Sequence, residues 1–368
     1  MAAQTAPRGA KSEPVSHTPN TVAETTVVGW QGVRCTLPAE WNVTGFSMER
    51  DTGYLRVDAP GSGTVTVQIR WSTAAKASAG SPTLYGLLAP HVRRMLKRPE
   101  PPVAKPDLKA NLERILKETA KQAKKANESF DNVIRPEKTE GENNERTAIN
   151  FSWSGAGRGQ GKIWYCAECG RIVVAQVVGM AKDQSTIASV ASQLFSSIQD
   201  HGVDGYDLWA LYDLQLHIPS DFRLNEQKLL SGYLRLSFSR GAERIILDRW
   251  GLANVTLKRF SLADWFANNA LVSLKTLHQD EVTSAAGHSV THYDGGLSLI
   301  GLVGAFRAAR GSLRRFPTRY EGGIWECVET NRLIGLQVLC QKGAQDLWKD
   351  VLDRCICHST GGRSGKIE

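Results

Sequence analysis

The chain has 368 residues, 41% of them hydrophobic, and carries a formal charge of +8 at pH 7. This length exceeds what one hydrophobic core usually serves, so two domains are expected. The first 25 residues lack the apolar core of a signal peptide, and no run approaches the ~18 apolar residues of a membrane helix. A soluble, cytoplasmic protein without a transmembrane segment is predicted. The charge permits nucleic-acid binding without demanding it.

Two similar halves follow each other along the chain. The stretch "IWYCAECGRIVVAQV" (163–177) aligns without gaps on "IWECVETNRLIGLQV" (324–338), with seven identical residues in fifteen positions. The shorter motifs "TLPAEWNV", "GYLRV" and "VQIRW" recur in the same order as "HIPSDFRL", "GYLRL" and "IILDRW". The chain is therefore interpreted as a tandem duplication.

Each half shows the same succession of predicted elements. A proline-containing segment leads into strands that end at Trp71 or Trp250. A helical stretch follows, "SPTLYGLLAPHVRRMLKR" (81–98) or "SLADWFANNALVSLKTL" (261–277), and then a strand, a tryptophan hairpin and a final helix. Runs of strands flanked by helices predict an α+β fold, with two tandem repeats that are each a twisted antiparallel sheet flanked by helices.

The domain boundaries follow from this repeat. A disordered N-terminal segment is predicted for residues 1–26, the first repeat for 27–203, the second for 206–358, and a flexible tail for 359–368. Equivalent apolar positions in both halves predict that the repeats pack against each other.

A family resemblance can be stated from the motifs that open and close each repeat. Pro38 with Trp41, Pro219 with Phe222, and the hairpins at Trp164 and Trp325 carry it. A short domain with this opening and a closing tryptophan hairpin resembles the Mog1/PsbP-like α/β/α sandwich superfamily. The resemblance implies a binding or assembly factor without an active site that could be transferred residue by residue.

The first repeat has an insertion at about 96–147. A proline-rich spacer leads into a basic amphipathic helix, whose apolar positions start at Leu108 and whose lysines are residues 109, 117, 121, 124 and 125. Two interpretations stay open: a helix packed on its own domain with a solvated basic face, or a helix that docks on a partner.

The second repeat has an arginine-rich insertion at about 295–320, which contains no acidic residue from 295 to 320. Arginine beside aromatic residues can pair with phosphate and stack on bases. A polyanion contact, a protein interface and a segment that covers the sheet are all compatible with this pattern. The polyanion-binding candidates are Arg307, Arg310, Arg314, Arg315 and Arg319.

The Cys-x-x-Cys pair at Cys166 and Cys169 has the shape of half a zinc site. The predicted topology brings the end of the final helix, with His201, to the same turn. The second repeat ends in "RCICH", whose ligands would join only if the two repeats meet at these ends. Buried inert cysteines and thiol redox chemistry are the alternatives, since Cys327 occupies the place of Cys166 and strand packing alone can explain both. The metal candidates are Cys166, Cys169, His201, Cys355, Cys357 and His358.

No catalytic signature is present in the sequence. His288 and His292 share one face of a strand but lack an obvious acidic partner, which favours surface or half-buried histidines over an acid/base pair. No cofactor is expected, with zinc as the one candidate. The sequence therefore predicts a non-enzymatic binding or assembly scaffold, with a protein partner or larger assembly. The alternative is a nucleic-acid-associated protein that uses residues 307–319 and the basic helix 109–125.

Overall fold

The computed structural model describes residues 24–47, 49, 52–61, 64–74, 106–137, 148–284, 286–297, 317–341 and 346–358. Several predicted features lie outside these ranges. They are most of the N-terminal segment, the helix at 81–98, the proline-rich spacer up to residue 105, most of the arginine-rich segment, and the tail from residue 359.

Two seven-stranded antiparallel sheets have the same strand order, one in each repeat. The first has the order β3-β4-β5-β9-β8-β7-β6 and the second β12-β13-β14-β18-β17-β16-β15. The strands of the first sheet are β3 (Asn42–Phe46), β4 (Thr52–Asp58), β5 (Thr66–Thr73), β6 (Asp131–Glu137), β7 (Ala148–Ser154), β8 (Gly157–Tyr165) and β9 (Arg171–Met180). Those of the second are β12 (Arg223–Leu230), β13 (Tyr233–Arg240), β14 (Glu243–Gly251), β15 (His278–Thr283), β16 (Ser289–Gly296), β17 (Arg319–Cys327) and β18 (Arg332–Cys340).

A third sheet joins the two repeats. Its order is β19-β11-β10-β1-β2, so the opening hairpins of the repeats pair with each other. At the junction Gly29 lies opposite Ala210. A Cβ on Gly29 would lie 2.8 Å from the carbonyl oxygen of Leu208, so this close approach needs glycine. The strands are β1 (Thr25–Trp30), β2 (Val33–Pro38), β10 (Tyr206–Leu211), β11 (Leu214–Pro219) and β19 (Cys355–Ile356).

One hydrophobic core runs through both repeats. The Trp30 ring lies 4.9 Å from Trp209 of the second repeat, and Trp209 lies 4.9 Å from Phe238. Each aromatic side chain of this size buries about 150 to 250 Å² of surface. Residues of both repeats therefore depend on the same buried cluster.

Most helices in the described residues are short. The longest of them, α1 (Leu108–Lys125), begins after the capping residue Asp107, and its apolar stripe is buried while its lysines are exposed. No helix in the described part of the chain is long and apolar enough to cross a bilayer. Within the described ranges the helices are α1 (Leu108–Lys125), α2 (Gln184–Ser197), α3 (Ala253–Thr256), α4 (Leu262–Asn269) and α5 (Leu347–Asp353), with 3₁₀ turns at Ala181–Asp183 and Leu274–Thr276.

The predicted α+β class, with helices flanking each sheet, is wrong because the described residues are mostly strand. The edge strands β12 and β15 are largely exposed and polar, so they lack the alternation that predicts a strand. The helix expected at 261–277 ends at Asn269. Beyond it, the Leu271 N–H donates a 2.8 Å hydrogen bond to the side chain of Gln337, a tertiary contact that replaces a further helical turn.

Candidate metal centres

The turn between β8 and β9 presents two cysteines to one point. Cys166 and Cys169 are separated by two residues in "CAEC", and Gly170 follows with a φ of 66°. The Gly170 N–H donates to the Cys166 carbonyl at 2.9 Å, and the Cys166 N–H donates to the Arg171 carbonyl at 2.9 Å. Glycine adopts this left-handed conformation without steric cost, so the turn can close around the two thiols.

The segment after α2 brings two further ligands to this turn. Gln199 bridges to Arg34 of β2, which fixes the backbone just before Asp200 and His201. The His201 Nδ1 atom lies 3.5 Å from the Cys166 sulfur. One ligand atom from each of the four side chains lies within 4.8 Å of the other three. We call this group the first centre: Cys166, Cys169, Asp200 and His201.

Neighbouring side chains orient the ligands of the first centre. The Trp164 indole N–H donates to Asp200 Oδ2 at 2.6 Å, and His201 Nε2 lies 2.9 Å from Glu168 Oε2. A carboxylate on the outer nitrogen of a histidine fixes its orientation and leaves the other nitrogen to a metal ion. Arg171 donates to the carbonyl oxygens of Asp200 and Gln31 at 3.1 and 2.9 Å, which ties the centre to the first hairpin.

A second group lies at the corresponding place in the second repeat. Cys357 and His358 follow β19, and the Cys357 sulfur lies 3.1 Å from Nε2 of His288. The His358 Nδ1 atom lies 3.4 Å from the Cys327 sulfur and 3.5 Å from that of Cys357. Its four ligand atoms also lie within 4.8 Å of one another. We call this group the second centre: His288, Cys327, Cys357 and His358.

The two centres share three ligand positions and differ in the fourth. Thr330 stands where the first repeat has Cys169, and its hydroxyl donates to the Cys327 sulfur at 3.1 Å. His288, from the turn between β15 and β16, supplies the missing ligand. At the other positions, Cys327 corresponds to Cys166, Cys357 to Asp200, and His358 to His201.

The tryptophan beside each centre also corresponds. Trp325 takes the place of Trp164, but its buried indole nitrogen has no hydrogen-bond partner among the described residues. This nitrogen lies close enough to the Cys357 thiol to lower the pKa of that thiol, although the two groups do not form a hydrogen bond. A metal-bound thiolate at Cys357 could accept a hydrogen bond from this N–H group.

The Cys169 and Cys357 thiols would ionise at neutral pH only beside a cation. Burial raises the pKa of Cys169 to about 12 and that of Cys357 to about 12, so both stay protonated at neutral pH in the absence of a metal ion. Burial lowers the pKa of His288, which favours the neutral, metal-binding imidazole. A divalent cation would displace the thiol protons and bind the resulting thiolates.

The remaining predicted site residues lie elsewhere. Cys355 is buried in the shared core and belongs to neither centre, and burial raises the pKa of its thiol. Cys357 and His358 join ligands of their own repeat rather than those of the first. Arg319 contacts Asp294 at 2.6 Å and Glu321 at 2.8 Å, so acids of its own sheet engage it. The other polyanion-binding candidates, Arg307, Arg310, Arg314 and Arg315, lie outside the described residues.

Three ligands were not among the predicted metal residues. Asp200 adjoins His201, so the predicted convergence could have included it. Cys327 aligns with Cys166, and because strand packing alone can explain both positions, the sequence does not mark it as a ligand. His288 lies 69 residues from Cys357 in sequence, and no local pattern connects them. His292, predicted to share a strand face with His288, lies within β16 and contacts Asp280 at 2.7 Å, whereas His288 precedes that strand.

No family model matches the chain, and a search of curated proteins finds no significant match.

Proposed function

We propose that this protein is a non-enzymatic binding or assembly scaffold that holds two zinc ions, one in each repeat. The observation that carries the proposal is the recurrence of a four-ligand cluster at corresponding positions of the two repeats. One cysteine–histidine cluster could arise from packing alone. Two clusters that share positions but differ in ligand identity are better explained by a common ion.

The ligand types favour zinc over other divalent ions. Thiolate and imidazole suit zinc, whereas magnesium and calcium prefer oxygen ligands. A tetrahedral zinc site with bonds of about 2.0 to 2.3 Å has ligand–ligand edges of about 3.3 to 3.8 Å. The sulfur–nitrogen distances of 3.1 to 3.5 Å in the two centres are close to these edges.

The number of ligands favours a structural role. Four protein ligands fill a tetrahedral zinc site, whereas catalytic sites keep one position open for water or substrate. Each centre offers four. A zinc ion in either centre would therefore act as a cross-link rather than as a Lewis acid.

The cross-link would connect two sheets. In the first repeat it joins the β8–β9 turn to the segment that bridges β2 through Gln199 and Arg34. In the second repeat it joins the β17–β18 turn to β19, which pairs with β11. Each zinc ion would hold one seven-stranded sheet against the sheet that unites the repeats, and the three described sheets would then form one platform.

The partner-binding part of the proposal relies on the exposed basic side of α1. Its apolar residues Leu108, Leu112 and Leu116 are buried in a cluster with the sheet of its own repeat. A partner would therefore meet the lysines, all five of which are exposed. This surface suits an acidic protein partner.

Metal analysis of the purified protein tests the zinc proposal. We expect two zinc ions per chain by inductively coupled plasma mass spectrometry, and one in each of the variants Cys169→Ser and His288→Ala. Cys340→Ala is the matched control, because Cys340 is buried in the second sheet and belongs to neither centre, and it should keep both ions. A zinc-free parent protein, or equal loss in the control, would overturn the proposal.

A further inference from the structure

The two centres differ in which of their ligands are partly exposed. In the second centre both sulfurs belong to fully buried cysteines, and the partly exposed ligands are the two histidines, His288 and His358, the latter with a side chain that is 13% exposed. In the first centre Cys169 is only partly buried and the His201 side chain is 23% exposed. Glu168, which orients His201, is 74% exposed. Solvent and small solutes can therefore reach the first centre from the side of its turn.

The ligand sets differ in their strength toward zinc. The first centre uses the Asp200 carboxylate where the second uses the Cys357 thiolate. Carboxylate is a harder ligand than thiolate and is the type preferred by magnesium, calcium and manganese. Because both centres have two cysteines and one histidine, the net difference is the Asp200 carboxylate of the first centre against a second imidazole in the other, and the first centre would hold zinc with one weaker bond.

The ligands also differ in how the chain restrains them. Those of the first centre come from two segments, the turn at 166–169 and residues 200–201. Those of the second come from three, and its extra ligand, His288, is fixed by a 3.1 Å hydrogen bond from its own N–H to the Ser284 hydroxyl. The His288 ring also packs edge-on against His358 at 5.2 Å. Cys169 can leave a metal ion by movement of one turn, whereas His288 is held in a second hairpin.

We infer that the first centre is an exchangeable zinc site and that the second centre retains its ion. The inference rests on the proposed binding of zinc. In an exchange step, a donor atom of an incoming chelator bonds to zinc on the exposed side while the bond to the Cys169 sulfur breaks. The released thiolate takes a proton from solvent, and the remaining protein ligands are replaced in turn. The fitting exchange partners are small chelators and thiols that can enter beside Glu168.

Transfer of zinc to the chromogenic chelator 4-(2-pyridylazo)resorcinol tests this inference on the full chain. We expect two phases in stopped-flow absorbance, with one zinc ion per chain in each. Cys169→Ser should abolish the fast phase and keep the slow one, and His288→Ala should do the reverse. Asp200→Cys, which places a thiolate at the position that Cys357 occupies in the second centre, should slow the fast phase.

The possible outcomes distinguish failure of the exchange inference from failure of the proposed zinc binding. Release of two zinc ions at one rate would overturn the exchange inference and leave two zinc sites in place. Loss of the fast phase in His288→Ala rather than in Cys169→Ser would also overturn it. A protein that delivers no zinc in either phase, even after denaturation, would overturn both.

Discussion

The two centres solve one structural problem with different ligands. Both join a β-hairpin turn to a segment of the sheet shared by the repeats, and both keep a cysteine, a histidine and a tryptophan at corresponding places. The first completes its set from within the turn, through Cys169, and the second from another hairpin, through His288. The position proposed for the ion thus corresponds in the two repeats more closely than the identity of its ligands, and we expect the origin of the fourth ligand to set how firmly a centre is closed.

Removal of zinc should have the largest effect on stability. A ligand that binds only the folded state stabilises it by about 4 kcal/mol when its free concentration is a thousand times Kd. We expect EDTA to lower the free energy of unfolding by about this amount per centre relative to protein in such a zinc buffer. Urea unfolding monitored by tryptophan fluorescence measures it. The variant Cys169→Ser should show about half of the response, and an unchanged midpoint in the parent protein would contradict a structural role.

Zinc affinity should depend on pH in both centres. Since burial raises the pKa of Cys169 and of Cys357 to about 12, each thiol is protonated at neutral pH and must release its proton on binding. The apparent affinity should therefore rise with pH, by at least about tenfold per pH unit in each centre below that pKa. Competition titrations with a chelator of known pH dependence, on each single-centre variant, provide the measurement. A flat profile in one variant would show that its cysteine is not a ligand.

Replacement of Trp164 and of Trp325 should lower the stability of the protein by different amounts. Trp164→Phe removes the bond to the buried Asp200 carboxylate, and hydrogen bonds to charged groups contribute about 2 kcal/mol. Trp325→Phe makes the same change in side-chain shape without removing a bond to a carboxylate. We therefore expect the first variant to be the less stable by about 2 kcal/mol in chemical unfolding without added chelator. Equal losses would remove the distinction.

The smallest expected effect concerns the glutamate beside each histidine. Glu168 contacts the outer nitrogen of His201, so Glu168→Gln should weaken zinc binding by the first centre about tenfold. Glu329 instead lies 4.0 Å from Nδ1 of His358, the nitrogen that faces the sulfurs, so Glu329→Gln should change affinity less. Zinc titration of each variant measures both effects. Equal weakening of the two centres would show that Glu168 does not act through His201.

Sequence reasoning succeeded where the signals are local. The helix Leu108–Lys125 follows from apolar spacing, and the hairpin that carries Cys166 and Cys169 follows from two apolar runs joined by a glycine turn. The placement of His201 at this turn followed from the direction of consecutive elements. The helix and the hairpin depend on residues near one another along the chain, and the contact of His201 with Cys166 spans only 35 residues of consecutive elements.

Features that depend on distant pairing could not be read in the same way. The sheet shared by the repeats requires β1 to pair with β10, and nothing in either strand specifies that partner. The edge strands β12 and β15 lack alternation because neither face of these strands is consistently buried. His288 reaches Cys357 only because β15 and β16 extend the second sheet. These long-range contacts also explain why the fold is more β-rich than the sequence pattern indicates.

X-ray absorption at the zinc edge tests the central claim most directly. Although their ligands differ, both centres contain two cysteines and two nitrogen or oxygen donors. The purified protein should therefore show, per zinc ion, two sulfur atoms at about 2.3 Å and two lighter atoms at about 2.0 to 2.1 Å. A zinc shell made only of oxygen and nitrogen, or six-coordinate zinc, would contradict the account.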